Sequence, residues 1–391
     1  MIPRPAILER LSTTVASGRA VLGAGCSAGI IAKCAEGGGA DLILVYSTGR
    51  SRLMGLPTWR LGNSNPSTLA MAAEILNVTG SIPVIGGAEA CDPTRLDLER
   101  LLDEFVAAGF SGIINFPTLS NLPDMRRRGD AVGIGFDREV DMVRRARRRD
   151  LFTMAYVATP DDSRRMAAAG ADCIVTHSGP TTGGLVGYRY DGSLSDLIRD
   201  TEQIIQAARA VSPDVVCLIH GGLLATPDEV QAALYQTSAV GFVGASSIER
   251  IPIERAVMAT TRAFKALRVG RADASAPVEP VAMRAVSLQT SDLGRSEAFY
   301  ARILGLRTVE SHPNRRVMDG HGMTLELMQA DGTGMGAGAI TLEVRDLDAA
   351  RHRLVGWGLE VTEEHLAGGR RGLMISDPGG AVVKLRAPTP A

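Results

Sequence analysis

Two histidines carry the first chemical signal in this sequence. His177 lies near the end of the apolar run "CIVTHS" (173–178) and His220 ends "VVCLIH" (215–220), with a glycine within two residues of each. An imidazole with an ordinary pKa of ~6.5 moves protons near neutrality, so a pair at equivalent places suits general acid–base work. The competing reading for each is a satisfied core histidine beside a tight turn. Equivalent placement on two successive runs favours a functional pair. Gly221 and Gly222 follow His220, and Gly244, Ser246 and Ser247 fall at the end of the next run, "VGFVGAS" (240–246). Backbone N–H groups and hydroxyls there are expected to receive an anion.

The other polar groups at the ends of apolar runs are Ser27, Ser47 with Arg50, Glu89, Asn115, Thr118, Tyr156 and Glu249. Glu89 is the third catalytic candidate, and Ser27, Ser47, Arg50, Asn115, Thr118 and Tyr156 are candidate ligand contacts. Glu249 is expected to pair with Arg250 or to cap a helix. Cys26 is a weak candidate nucleophile, because no feature of the sequence lowers its pKa. A Mg²⁺ ion would have to be shared between Glu89 and oxygens of the ligand, and no other cofactor is called for. The segment "SGPTTGG" (178–184) has the length and composition of a loop that closes over a site.

Such groups need a frame. Between about residues 18 and 267 a short apolar run, a glycine-rich or polar turn and an amphipathic segment recur, which argues for parallel βα units. The runs are "AVLGAG" (20–25), "LILVYS" (42–47), "IPVIGG" (82–87), "GIINFP" (112–117), "FTMAYV" (152–157), 173–178, 215–220 and 240–246. That number and span predict a (β/α)₈ TIM barrel, in which functional groups stand at the C-terminal ends of the strands. A doubly wound open sheet is the alternative, but it requires a reversal of strand order that the even rhythm does not suggest. Helix starts are predicted at Asp92-Pro93, Thr159-Pro160 and Thr226-Pro227, with Gly109 ending the first of these helices.

A chain of 391 residues exceeds what one core usually organises, which predicts two domains. A net charge of -1 with mean hydropathy +0.08 removes the electrostatic case for nucleic acid or an acidic membrane surface. No segment has the length and apolarity of a membrane span or a signal peptide, so a cytoplasmic protein is expected. Five cysteines without CxxC spacing predict free thiols rather than disulfides or a zinc site. The partner expected is a small anionic substrate, and a homo-oligomer is expected from the barrel class. The "RRARRRD" run (144–150) reads as a solvated helix face.

The stretches "SIPVIGGAEACDP", "GFSGIINFPT", "GADCIVTHSGPTTGG", "HGGLLATPDE" and "GFVGASSIERIPIE" together resemble the phosphoenolpyruvate hydrolase-like family, over about 5–267. The resemblance implies a three-carbon oxo acid or enol phosphate as ligand. The acidic Mg²⁺ ligands of the related mutase and hydrolase barrels have no match here. The family's segment after "YSTGR" is also richer in glycine than "SRLMGLPTWRLGNSNPS" in this chain, which implies a different substrate.

Past an Ala/Pro-rich stretch (269–282) read as a linker, "SLQTSDLGRSEAFYARILGLRTV" (287–309) is echoed by "TLEVRDLDAARHRLVGWGLEV" (341–361), an internal duplication. "VSLQTSDLGRSEAFYARILGL" and "SDPGGAVVKLRAP" resemble the vicinal oxygen chelate family of glyoxalases, bleomycin-resistance proteins and dioxygenases, over about 283–388. That family's metal positions fall on Ala285, Ala339 and Lys384, with only Glu326 matching a ligand type, so a metal-free domain is expected. His312, His321, His352 and His365 lie outside those positions. The preferred reading is a hydrolase or lyase acting at the barrel mouth. The alternative is a ligand-binding sensor without turnover, the second domain serving as a binding or dimerisation module.

Overall fold

Eight apolar runs become the eight strands of a closed parallel barrel in sequence order. In this computed structural model they are β1 (Val21–Gly25), β2 (Leu42–Val45), β3 (Val84–Ala88), β4 (Gly112–Asn115), β5 (Phe152–Val157), β6 (Cys173–His177), β7 (Val216–His220) and β8 (Gly241–Gly244). β1 pairs with both β2 and β8, so the sheet has no edge and the open-sheet alternative falls away. The residues described are 1–267, 285–320, 323–330, 339–344, 347–365, 371–378 and 380–386. The chain forms two units, Met1–Val269 and Gly270–Ala391. The stretch read as a linker lies outside the described residues.

The strands read as continuous apolar runs because both of their faces are buried. One set of alternate residues, including Leu44, Tyr46, Met154, Tyr156, Val175, Leu218 and Val243, fills the barrel interior. The other set, including Ile43, Val45, Ile113, Ile174 and Cys217, packs beneath the helices. The first helix, α1 (Arg4–Ala16), adds Ile7 and Leu11 to the interior cluster.

The remaining helices are α2 (Gly29–Gly37), α3 (Thr48–Leu53), α4 (Ser64–Leu76), α5 (Leu98–Ala107), α6 (Pro123–Ala131), α7 (Phe136–Arg148), α8 (Pro160–Ala168), α9 (Leu194–Arg209), α10 (Pro227–Gln236) and α11 (Arg250–Lys265). α8 and α10 start where Thr-Pro predicts, with Thr159 accepting from the Asp162 N–H and Thr226 forming a capping box with Glu229. The start at Asp92 is corrected: α5 begins at Leu98, capped by Asp97. Asp92 instead accepts hydrogen bonds from the Thr94 N–H and from the Asn65 amide, which bends the chain six residues before the apolar face begins at Leu98. Arginines of the 144–150 run are exposed or partly exposed, and Arg145 and Arg149 reach across to Glu99.

The second unit contains two four-stranded sheets built alike. One has the order β10 (Arg307–His312), β11 (Arg315–Gly320), β12 (Met323–Gln329), β9 (Ala285–Thr290). The other runs β13 (Ala339–Glu343), β16 (Val382–Arg386), β15 (Arg371–Ser376), β14 (Thr362–His365). In each, the first strand pairs in parallel with the last, as the duplication requires. Helices α12 (Leu293–Leu304) and α13 (Leu347–Gly356) follow the first strand of each repeat. No helix of the described residues is long and apolar enough to cross a membrane.

Closure at the β8–β1 seam makes a specific demand. Gly241 is in register with Val21, and a Cβ added there would lie 2.1 Å from the Val21 carbonyl oxygen. Gly241→Ala is therefore expected to destabilise the barrel by about 2 kcal/mol or more. Urea denaturation of the full chain checks this through the midpoint of the barrel's transition.

Candidate active site

β6 and β7 pair so that His177 is aligned with His220. Strand alternation turns both rings inward, because Val175 and Leu218, two residues earlier, already fill the interior. The ring centroids stand 5.0 Å apart with an interplanar angle of 67°. The fully buried Tyr156 lies against both, at 4.9 Å from His177 and 5.0 Å from His220. Both imidazoles line a cavity of about 430 Å³ with Tyr46, Arg52, Trp59, Thr118 and Ser246 among its walls.

The hydrogen bonds fix the two rings in opposite tautomers. His220 Nδ1 stands 2.7 Å from the Val243 carbonyl oxygen, which can only accept, so Nδ1 carries the proton and Nε2 is a bare acceptor. His177 Nδ1 accepts from the Gly179 N–H at 3.1 Å and lies 3.2 Å from the Asn121 amide nitrogen, so its proton sits on Nε2. Burial and then the neighbouring His220 push the pKa of His177 down to about 3. Burial lowers that of His220 to about 4, partly opposed by the Val243 carbonyl. Both rings are neutral at pH 7, one a donor and the other an acceptor.

The glycines after β7 act differently from the expectation. Gly222 donates its N–H to the Gly179 carbonyl and accepts from the Thr182 N–H, and a Cβ on Gly221 would lie 2.0 Å from the Gly179 oxygen. The pair thus clasps the β6 and β7 loops together, and the Gly222 amide is spent on that contact rather than offered to a ligand. The 178–184 loop is fastened rather than loose: Arg250 holds the Gly183 carbonyl, while Pro180 and Thr181 line the cavity. Gly244 is closely packed by Phe242 and Ile248, and Ser247 lies outside the cavity wall.

The anion contacts also shift. Arg50 is exposed on α3 and does not line the cavity, whereas Arg52 does and is buried. Arg52 Nη2 meets Glu249 at 3.3 Å, Nη1 meets the Thr48 hydroxyl at 3.3 Å, and Nε has no hydrogen-bond partner among the described residues. Glu249 is thus paired with Arg52 and with the Ser27 hydroxyl, while Arg250 pairs with Glu254; at the α11 start Glu249 makes no side-chain cap. Ser47 is buried at the start of α3, away from the cavity wall. Glu89 forms an ion pair with Arg60 at 2.7 Å and is not a wall residue; Arg60 is. No carboxylate lines the cavity among the described residues, so this donor set does not fit a Mg²⁺ ion held by the protein. Burial holds the Cys26 thiol protonated, with its pKa pushed up, which removes it as a nucleophile.

Asn115 belongs to the frame. It bonds to Glu139 at 2.6 Å and to the Tyr156 carbonyl at 3.0 Å, and its own oxygen accepts from the Tyr156 N–H. Glu139, fully buried on α7, also accepts from the Thr118 hydroxyl and the Leu119 N–H, fastening the β4 loop. Sequence reading passed over Glu139, although it stands three, four and seven residues before Met142, Val143 and Ala146 on the buried face of α7. In the second unit Glu326 is held by Arg315 and Ser287, and Lys384 by Glu364. His312 and His365 are exposed strand residues, His352 is exposed on α13, and His321 lies outside the described residues.

Comparison with known proteins adds the following. Residues 6–267 match the family described as Phosphoenolpyruvate hydrolase-like, and residues 282–385 match the Glyoxalase/Bleomycin resistance protein/Dioxygenase superfamily. Two proteins of Solanum lycopersicum, ToMV susceptible protein tm-1(GCR26) and ToMV resistance protein Tm-1(GCR237), are each 37% identical over 273 residues. The match covers 68% of this chain and 36% of theirs, so the chain spans about a third of the length of these relatives. Among solved structures, lactoylglutathione lyase from Agrobacterium tumefaciens is 22% identical with a TM-score of 0.26, covering 28% of this chain and 94% of that one.

The buried titratable groups oppose one another in pH. Burial raises the Glu139 pKa from 4.5 to about 7, so its contribution to stability is complete below 4.5 and is lost as pH rises through 7. The histidines are depressed from 6.5, so theirs is present above 6.5 and is lost as pH falls through about 4 and then 3. Calorimetry should show the parent losing melting temperature relative to Glu139→Gln as pH rises from about 4.5 to about 7, with no further divergence above that.

Proposed function

The chain belongs to the phosphoenolpyruvate hydrolase-like family, and from that premise we propose that it is an enzyme acting on a small anionic oxo acid or enol phosphate, by hydrolysis or by cleavage of a C–C or C–P bond. The observation that carries this reading is the in-register histidine pair, one ring presenting an N–H and the other a bare nitrogen to a shared cavity. An N–H and a bare ring nitrogen side by side can give and take a proton at one substrate. In the proposed reaction His220 Nε2 takes a proton from water or from a substrate hydroxyl. His177 Nε2–H meets the charge that develops on the carbonyl or enolate oxygen.

The lowered pKa values suit these roles in different ways. They keep His220 in its base form throughout the neutral range, at the expense of base strength. They also make His177 a neutral hydrogen-bond donor, which stabilises an oxyanion without prior protonation of the ring. Tyr156 holds both rings in place by packing against them. Glu89 enters the proposal only through Arg60, which it orients on the cavity wall.

Binding without turnover is the second reading, favoured by relatives whose names refer to ToMV susceptibility and resistance rather than to a reaction. In that reading the glyoxalase-like unit supplies a further ligand-binding or dimerisation surface. A homo-oligomer forms part of either reading: within the barrel unit α11 buries only Arg250 and Ile251 and leaves Val257 and Phe264 exposed.

Release of pyruvate or phosphate from phosphoenolpyruvate, phosphonopyruvate and related oxo acids is the direct assay. With a turned-over substrate in hand, His220→Gln and His177→Gln are each expected to lower kcat by about 10²–10⁴-fold while the barrel stays folded. Activity retained within a few-fold in His220→Gln defeats the acid–base role. Saturable binding without product in the parent protein, altered only in affinity by the same substitutions, establishes the sensor reading instead. The acid limb of kcat/KM should fall near pH 4, where His220 takes up its proton, rather than near 6.5.

A further inference from the structure

A cavity of about 430 Å³ is generous for a three-carbon acid. Pockets of roughly 300–1,000 Å³ enclose ligands of drug size, and a molecule as small as pyruvate would leave most of this one to water. The walls offer little to that water. Trp59, Phe116, Leu122 and Met125 face the cavity, and Trp59, Leu122 and Met125 are 71%, 38% and 50% exposed at its rim. They come from two separate segments, those after β2 and β4, that converge on the same opening. Large apolar side chains gathered from separate loops around a polar floor mark a site that buries something apolar.

The charged side of the cavity selects an anchor. Arg60 is committed to Glu89 at 2.7 Å. Arg52 is buried on the wall, its contacts with Glu249 and Thr48 are both at 3.3 Å, and its Nε is unpartnered among the described residues. A guanidinium carries five N–H donors; the Arg52 Nε–H is buried and one N–H each of Nη1 and Nη2 is engaged, which leaves one N–H on each of those two nitrogens for a carboxylate. The His177 Nε2–H lies on the same cavity and suits a keto oxygen.

Resting on the reading of the barrel mouth as an anion site, we propose that its ligand is a 2-oxo acid bearing an apolar substituent of aryl size. Arg52 receives the carboxylate, His177 the keto oxygen, and Trp59, Leu122 and Met125 cover the substituent.

Titration calorimetry of the full chain with pyruvate, phenylpyruvate and the methyl ester of phenylpyruvate tests this. Burial of a phenyl ring predicts phenylpyruvate binding on the order of 100-fold more tightly than pyruvate. The ester, which lacks the carboxylate charge, should bind at least ~10-fold more weakly than the acid. Trp59→Ala and Met125→Ala should each reduce the advantage of phenylpyruvate over pyruvate several-fold, and Arg52→Lys should weaken both acids. Should Arg52→Lys fail to fold, the acid-against-ester comparison in the unaltered protein still decides the anchor. Pyruvate or phosphoenolpyruvate binding as tightly as phenylpyruvate overturns the size inference and leaves the proposed function standing. Ester binding equal to acid binding overturns the anchor. No saturable binding of any of these acids overturns both this inference and the anion reading beneath it.

Discussion

The register between β6 and β7 is the constraint on which the site depends. Aligning His177 with His220 puts two rings at one height above Tyr156. A slip of one residue would turn one ring out of the interior, because successive side chains on a strand face opposite ways. The same register lets the His220 carbonyl accept from the Ser178 N–H and brings Gly179 under the turn after β7. The clasp formed by Gly221 and Gly222 is therefore part of the histidine geometry. It holds the Gly179 N–H where it fixes the tautomer of His177, while Val243 on β8 fixes that of His220. Backbone groups on two different sides of the pair make two chemically identical residues unlike.

Behind this floor, buried charge is managed in two ways. Arg52 and Glu249 are both desolvated and compensate one another, with the Ser27 hydroxyl on the second contact of the carboxylate oxygen. Glu139 has no cation beside it in its hydrogen-bond set; it is surrounded by donors from Asn115, Thr118, Leu119 and Cys91. Those donors favour its ionised form, burial opposes it, and burial prevails, which is why the pKa rises. The consequence for the site is mechanical. The carboxyl that fastens the β4 loop also fixes Asn115, which grips the backbone of Tyr156 from both its N–H and its carbonyl. Tyr156 in turn bears both imidazoles.

What the sequence made legible follows from the range of the forces involved. Strand alternation and apolar runs are local, so eight strands, their order and the inward position of both histidines could be read from the chain, as could the helix starts at Thr159 and Thr226. The rest depends on partners distant along the chain. Asp92 and Asp97 both look like caps, and what separates them is Asn65, on α4, which claims Asp92. Arg50 and Arg52 are two residues apart on a short helix, hence on different faces, and nothing local says which one faces the cavity. For Glu249 the local choices are its neighbour Arg250 or a helix cap, whereas its partner Arg52 stands 197 residues away. The Gly222 amide, expected from "HGG" to be free, is spent for a similar reason: a glycine turn reveals a positive φ but not which carbonyl the N–H will meet.

These two kinds of information divide the site into parts with different freedom to change. The floor is made by strand ends, where Tyr156 is fully buried and packs against both histidines. The rim is made by the segments after β2 and β4, where Trp59 and Met125 rest on little except one another's cavity. Substitutions there cost the fold almost nothing, since an exposed side chain has little burial to lose. A chain built this way can keep its histidine pair while exchanging the side chains that would cover a ligand. The segment after β2 supplies Thr48, Arg52, Thr58, Trp59, Arg60 and Gly62 to the cavity. Changes in that segment would fall on what covers a ligand, apart from the two histidines on β6 and β7.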